Sequence, residues 1–75
     1  MENRRLPPKN EYLVKMGNEI RKRRHERGFS LHRLASMCNI HYTAISRIEC
    51  GFNGSKITTL KMIADVLECD VKDFL

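Results

Sequence analysis

Thr43, Ser46, Arg47 and Cys50 recur at i, i+3, i+4 and i+7, with Tyr42 at the leading edge. On a helix that spacing gathers them on one face. The stripe is rich in hydroxyl and guanidinium donors, so its chemistry is directional hydrogen bonding, with no base or nucleophile pair beside it. His25, His32 and His41 are scattered, and Ser30 and Ser46 lack a His or Asp partner at a recognisable spacing. There is also no glycine-rich phosphate loop, so the residues predict binding and not an enzyme. Cys38, Cys50 and Cys69 are an odd number, spaced by 12 and 19, without a C-x-x-C pair or a histidine repeat. No metal or other cofactor is expected. Cys38 and Cys69 read as small buried hydrophobes and Cys50 as partly exposed.

The opposite side of the same helix carries Ile45, Ile48 and Glu49. Just before it, Leu31, Leu34, Ala35 and Cys38 draw an apolar stripe on a helix capped by Ser30, and the small Ala35 lets a second helix come close. Asn39 tolerates the left-handed conformation that ends a helix, Ile40 plugs the corner, and Gly51 closes the second helix. Residues 30–51 thus read as two short helices joined by a turn of about four residues.

A first helix over about Glu11 to Arg27 places Leu13, Met16, Gly17, Ile20 and Arg24 on one face, with Gly28 as its stop and Phe29 packing beyond it. Arg24 is a charge on an apolar stripe, and Glu49 is its counterpart on the inward face of the second motif helix. An unpaired buried charge is strongly unfavourable, so the two are predicted to pair. After a turn at residues 52–54, Ser55 reads as the N-cap of a fourth helix with the stripe Ile57, Leu60, Ile63, Ala64 and Leu67. Asp70, with Asp73 three residues on, starts a last short helix ending in Phe74 and Leu75. The expected fold is all-α, a compact five-helix bundle over residues 11–75. Residues 1–10, with Arg4, Arg5, Lys9 and the Pro7-Pro8 pair, read as a mobile basic arm.

Seventy-five residues make one small domain, able to bury about 60 to 65% of its unfolded surface, which disfavours a deep ligand cavity. No apolar run approaches the roughly 18 residues of a membrane span, and the N-terminus lacks the apolar core of a signal peptide, so a cytoplasmic location with no membrane partner is expected. The net charge of +5 is uneven: residues 1–33 hold ten Lys and Arg against four Glu, residues 34–75 four against five acids. A basic surface attracts nucleic acid or anionic membrane, with simple solubility as the competing explanation. The run 21–24 reads as a solvated helix face, because its helix lacks the Trp, Phe or multiple Leu that would anchor in lipid.

The stretch LASMCNIHYTAISRIECG resembles the helix-turn-helix signature of the Cro/phage-repressor (Xre-type) transcriptional regulators. Leu34-Ala35, Ile40, Ile45 through Glu49 and Gly51 carry the likeness. It continues through Leu60, Ile63-Ala64, Leu67 and Phe74-Leu75, covering roughly residues 12 to 75. Asn39 stands where the family usually has Gly, Leu31 where a phosphate-binding Gln is common, and Arg33 where a capping-box Glu is common.

The resemblance implies a lambda-repressor-like DNA-binding domain and a sequence-specific regulator of transcription, a repressor, with the helix at about residues 42–50 in the major groove of double-stranded DNA. It also implies a bridge from Arg24 to Glu49. Side chains at the start of such a helix reach base edges, which makes Tyr42, Thr43, Ser46 and Arg47 the base-contact candidates. Arg47 is able to make the bidentate contact to guanine, and Thr43 to touch a thymine methyl. His41, Asn53, Ser55 and Lys56, around the flanking loops, are the phosphate-contact candidates. One such helix reads few base pairs, so a homodimer is expected, joined at the C-terminal end through Phe74 and Leu75, with the alternative that Phe74 caps the domain's own core and leaves Leu75 as the exposed partner. The alternatives are an antitoxin-like protein-interaction module of the same fold, with a protein partner, and more weakly an RNA-binding role resting on Tyr12, Tyr42 and Phe52.

Overall fold

The computed structural model describes residues 11–52 and 56–74. Four α-helices follow one another, α1 over Glu11–Glu26, α2 over Leu31–Cys38, α3 over Tyr42–Glu49 and α4 over Ile57–Val66, and a 3-10 helix over Val71–Phe74 ends the described chain. The expected five-helix bundle is thereby corrected to four α-helices plus one 3-10 turn. The last segment is four residues long, and the bond that closes it runs from the Asp73 N–H to the Asp70 carbonyl at 2.9 Å, an i+3 bond of 3-10 type. The Asp73 carboxylate accepts from the Asp70 N–H at 3.0 Å, the reciprocal half of a small capping box.

The core is the meeting of the predicted stripes. Met16 and Ile20 of α1, Leu34, Ala35 and Cys38 of α2, Ile45 and Ile48 of α3, and Leu60, Ile63 and Ala64 of α4 are buried together with Leu67. Burial pushes the Cys38 thiol above its ordinary range, so this side chain behaves as a hydrophobe. Three expectations for apolar residues are corrected, the first being Cys69, read as a buried hydrophobe, which packs against the core but is only half-buried. Ile57 is 61% exposed, because it stands at the first position of α4 beyond the end of the packed stripe. Phe74, assigned to a dimer surface, is only 2% exposed and is packed in the core of its own chain. Its expected companion Leu75 lies outside the described residues.

All four α-helices stop in the same way. Gly28, Asn39, Gly51 and Glu68 have φ of 71, 58, 78 and 58°, in the left-handed region. In each case the next N–H reaches back five residues: Phe29 to Arg24, Ile40 to Ala35, Phe52 to Arg47 and Cys69 to Ala64, at 2.9 to 3.1 Å. This is the Schellman arrangement, in which a left-handed residue turns the chain and satisfies the last carbonyls. At α4 the left-handed residue is Glu68, which no pattern in the sequence indicates. The fourth helix also starts one residue later than expected: Lys56 is its N-cap, and Ser55 lies outside the described residues.

Candidate nucleic-acid interface

α3 is held on its inner side by Ile45, Ile48 and Glu49, and none of its other residues is buried. Tyr42, Thr43 and Arg47 are exposed and Ser46 is half-buried. At about 100° per residue these four side chains occupy little more than a third of the helix circumference. Arg47 makes no ion pair among the described residues, so its guanidinium is available to a ligand. The helix begins at His41, whose backbone is extended (φ −71°, ψ 142°) and whose side chain makes no capping bond. α4 begins the same way at the exposed Lys56. α2 differs, since the Ser30 hydroxyl accepts from the Arg33 N–H at 3.0 Å. The first N–H groups of α3 and α4 thus lack a side-chain acceptor from their own N-caps, and such helix starts suit anionic oxygens.

The inner side is anchored to α1 by charge and by close backbone approach. Arg24 Nε donates to Glu49 Oε2 at 2.7 Å, and its Nη2 donates to Glu49 Oε1 at 3.0 Å. The third arm of the guanidinium donates to the Phe29 carbonyl at 2.9 Å, tying the pair to the turn between α1 and α2. Arg21, read from sequence as part of a solvated face, adds a longer contact of 3.5 Å to Glu49 Oε1. Both Arg24 and Glu49 are buried, at 8% and 4% exposure, so this bidentate pair is shielded from water. Gly17 allows the approach: a Cβ there would collide with the Ile48 carbonyl oxygen and sit 2.6 Å from that of Glu49. The carboxylate that sequence reasoning singled out therefore ties the C-terminal end of α3 to α1.

Of the candidates named from sequence, His41, Tyr42, Thr43, Ser46 and Arg47 share the outer side of α3 and its cap, and Lys56 marks the start of α4. Asn53 and Ser55 lie outside the described residues. Sequence reasoning passed over His32. Its ring lies against that of Tyr42, with centroids 4.2 Å apart and planes inclined at 32°, while His41 flanks the same tyrosine at 6.3 Å. The three rings, with Ser36 and Asn39, border a shallow depression at the corner between α2 and α3. No periodicity joins residue 32 to residue 42, because the contact runs across the turn.

Two short helices about a tight corner, the second anchored inside and carrying hydrogen-bond donors outside, define a helix-turn-helix DNA-binding protein. Residues 19–75 match the Cro/C1-type HTH DNA-binding domain, and the chain belongs to that family. It is a DNA-binding protein of the kind that regulates transcription. Three solved structures illustrate the likeness. The restriction-modification controller protein C.AhdI from Aeromonas hydrophila superposes with a TM-score of 0.80 at 22% identity, over 84% of this chain and 96% of that one, and shares the fold. The wild-type controller protein C.Esp1396I is 32% identical, with a TM-score of 0.77 over 87% of this chain and 84% of its own. The master regulator for biofilm formation SinR, solved in complex with DNA, is 28% identical, with a TM-score of 0.76 over 79% of this chain and 95% of its own. No curated protein matches the sequence. Among the described residues no helix is long and apolar enough to cross a membrane.

Proposed function

We propose that this protein is a sequence-specific repressor that lays α3 in the major groove of double-stranded DNA, acting as a homodimer in the cytoplasm without catalysis. The observation that carries the reading is the two-sidedness of α3: a buried, doubly bonded Glu49 inside, and exposed Tyr42, Thr43 and Arg47 outside. Tyr42, Thr43, Ser46 and Arg47 read base edges, with Arg47 addressing guanine. His41, Lys56 and the backbone N–H groups at the starts of α3 and α4 hold phosphates, joined by Asn53 and Ser55 from the loop between these helices. The neighbour SinR, solved with DNA, supports this assignment. The test is selection of bound duplexes from a random pool. A single enriched motif is expected, with affinity falling steeply as salt rises; equal retention of all sequences would overturn sequence-specific reading.

A further inference from the structure

We infer that His32 is a positioning residue for specificity: it holds the Tyr42 ring where that ring meets the outermost base pair of the half-site. The inference rests on the reading of Tyr42 as a base contact. Tyr42 is the first residue of α3, so no preceding turn of its own helix packs against its side chain. What restrains the phenol must come from elsewhere. His32, reaching from α2 across the corner, lies at 4.2 Å between centroids, in direct ring contact and slightly closer than the roughly 4.5 to 7 Å of ordinary aromatic pairs, and is tilted only 32° from parallel. The sequence neighbour His41 is farther, at 6.3 Å.

His32 has little else to do. It is exposed, and no hydrogen bond or ion pair engages it among the described residues. Its backbone, by contrast, is firmly placed, since Leu34, Ala35 and Cys38 of the same helix are buried against Ile45 and Ile48 of α3. A rigid α2 thus presents one ring to an otherwise loosely held tyrosine at the edge of the DNA-reading face. Holding that side chain in place before binding lowers the ordering cost on contact with the correct base.

The test is bound-sequence selection and affinity for random duplex with four proteins: wild type, Tyr42→Ala, His32→Ala and His32→Phe. Tyr42→Ala is expected to flatten preference at one base pair. His32→Ala is expected to weaken preference at that same pair by about 2- to 10-fold, the value of one ring pair, leaving other positions and random-duplex affinity unchanged. His32→Phe keeps a ring to stack and should restore the preference. Thermal melts establish that each variant folds. If Tyr42→Ala flattens a position that His32→Ala leaves intact, or if His32→Ala weakens all duplexes alike, or if Phe does not restore, the positioning role is overturned and Tyr42 keeps its own. If Tyr42→Ala changes no base pair, both readings fall together.

Discussion

Glu49 is the residue on which the placement of α3 turns. It is 4% exposed and takes two hydrogen bonds from Arg24, itself 8% exposed, so removing it strands a guanidinium in the interior. Glu49→Ala should therefore destabilise the domain by about 3 to 5 kcal/mol, a large part of what a domain of this size has. Replacing Arg24 and Glu49 together by apolar residues should cost less, because no charge is left unpaired. Denaturant melts of both variants beside the wild type check the order; a Glu49→Ala melt overlying the wild type would show that the pair carries no stability. On the outer face the contrast is between reading and gripping. Arg47→Ala should relax preference at one base pair at a cost of about 1 to 3 kcal/mol, whereas Lys56→Ala should weaken all duplexes alike and lower the salt dependence. Site selection on both variants decides this, and an unchanged motif for Arg47→Ala would reduce that arginine to a phosphate contact.

Each α-helix ends on a left-handed residue, and two of the four are glycine. Asn39 occupies the third such place at φ 58°, where asparagine is tolerated, and Glu68 the fourth, also at φ 58°, where a longer side chain carries a real steric cost. The Glu68 side chain, 71% exposed, does meet Arg27 at 3.3 Å, but a solvated pair of this kind contributes little. Glu68→Gly should accordingly stabilise the fold by about 1 kcal/mol, raising Tm by roughly 4 to 8 °C in a domain of this size. Asn39→Gly should raise it less. Calorimetry compares the two, and a lower Tm for Glu68→Gly would mean that the Arg27 contact outweighs backbone strain.

For the whole molecule the central expectation is a two-fold dimer on DNA. Four side chains on one short helix reach too few base pairs to discriminate against a genome of competing sites, and two copies on half-sites about one helical turn, roughly 34 Å, apart remove that limit. Burial of Phe74 in its own core takes that side chain out of the interface, so Phe74→Ala should unfold the domain and not dissociate a folded one. Mass in solution with and without DNA, together with the symmetry of the selected site, checks the assembly. A monomer on one asymmetric half-site at saturating protein would end the dimer reading while leaving DNA binding intact.

The stripes of α1 to α3, the Ser30 cap, the stops at Gly28, Asn39 and Gly51, and the two faces of α3 were all legible in the chain, as was the family. They depend on neighbours one to four residues apart, and periodicity and capping chemistry report such distances directly. Even the Arg24 and Glu49 pair showed itself, because a charge on an apolar stripe demands a partner. What required tertiary structure was the outcome of packing between distant segments. The stripe of α4 did not announce that Ile57 overshoots it, and the chain left open whether Phe74 joins its own core or faces a second copy. Gly17 looked like one more small residue on α1 until the carbonyls of α3 came against it. Nothing local separates a four-residue 3-10 turn from a short α-helix, or marks Glu68 for a left-handed bend. His32 met Tyr42 only when the corner closed, for a contact across a turn is set by the angle between two helices, and that angle is decided by the core beneath them.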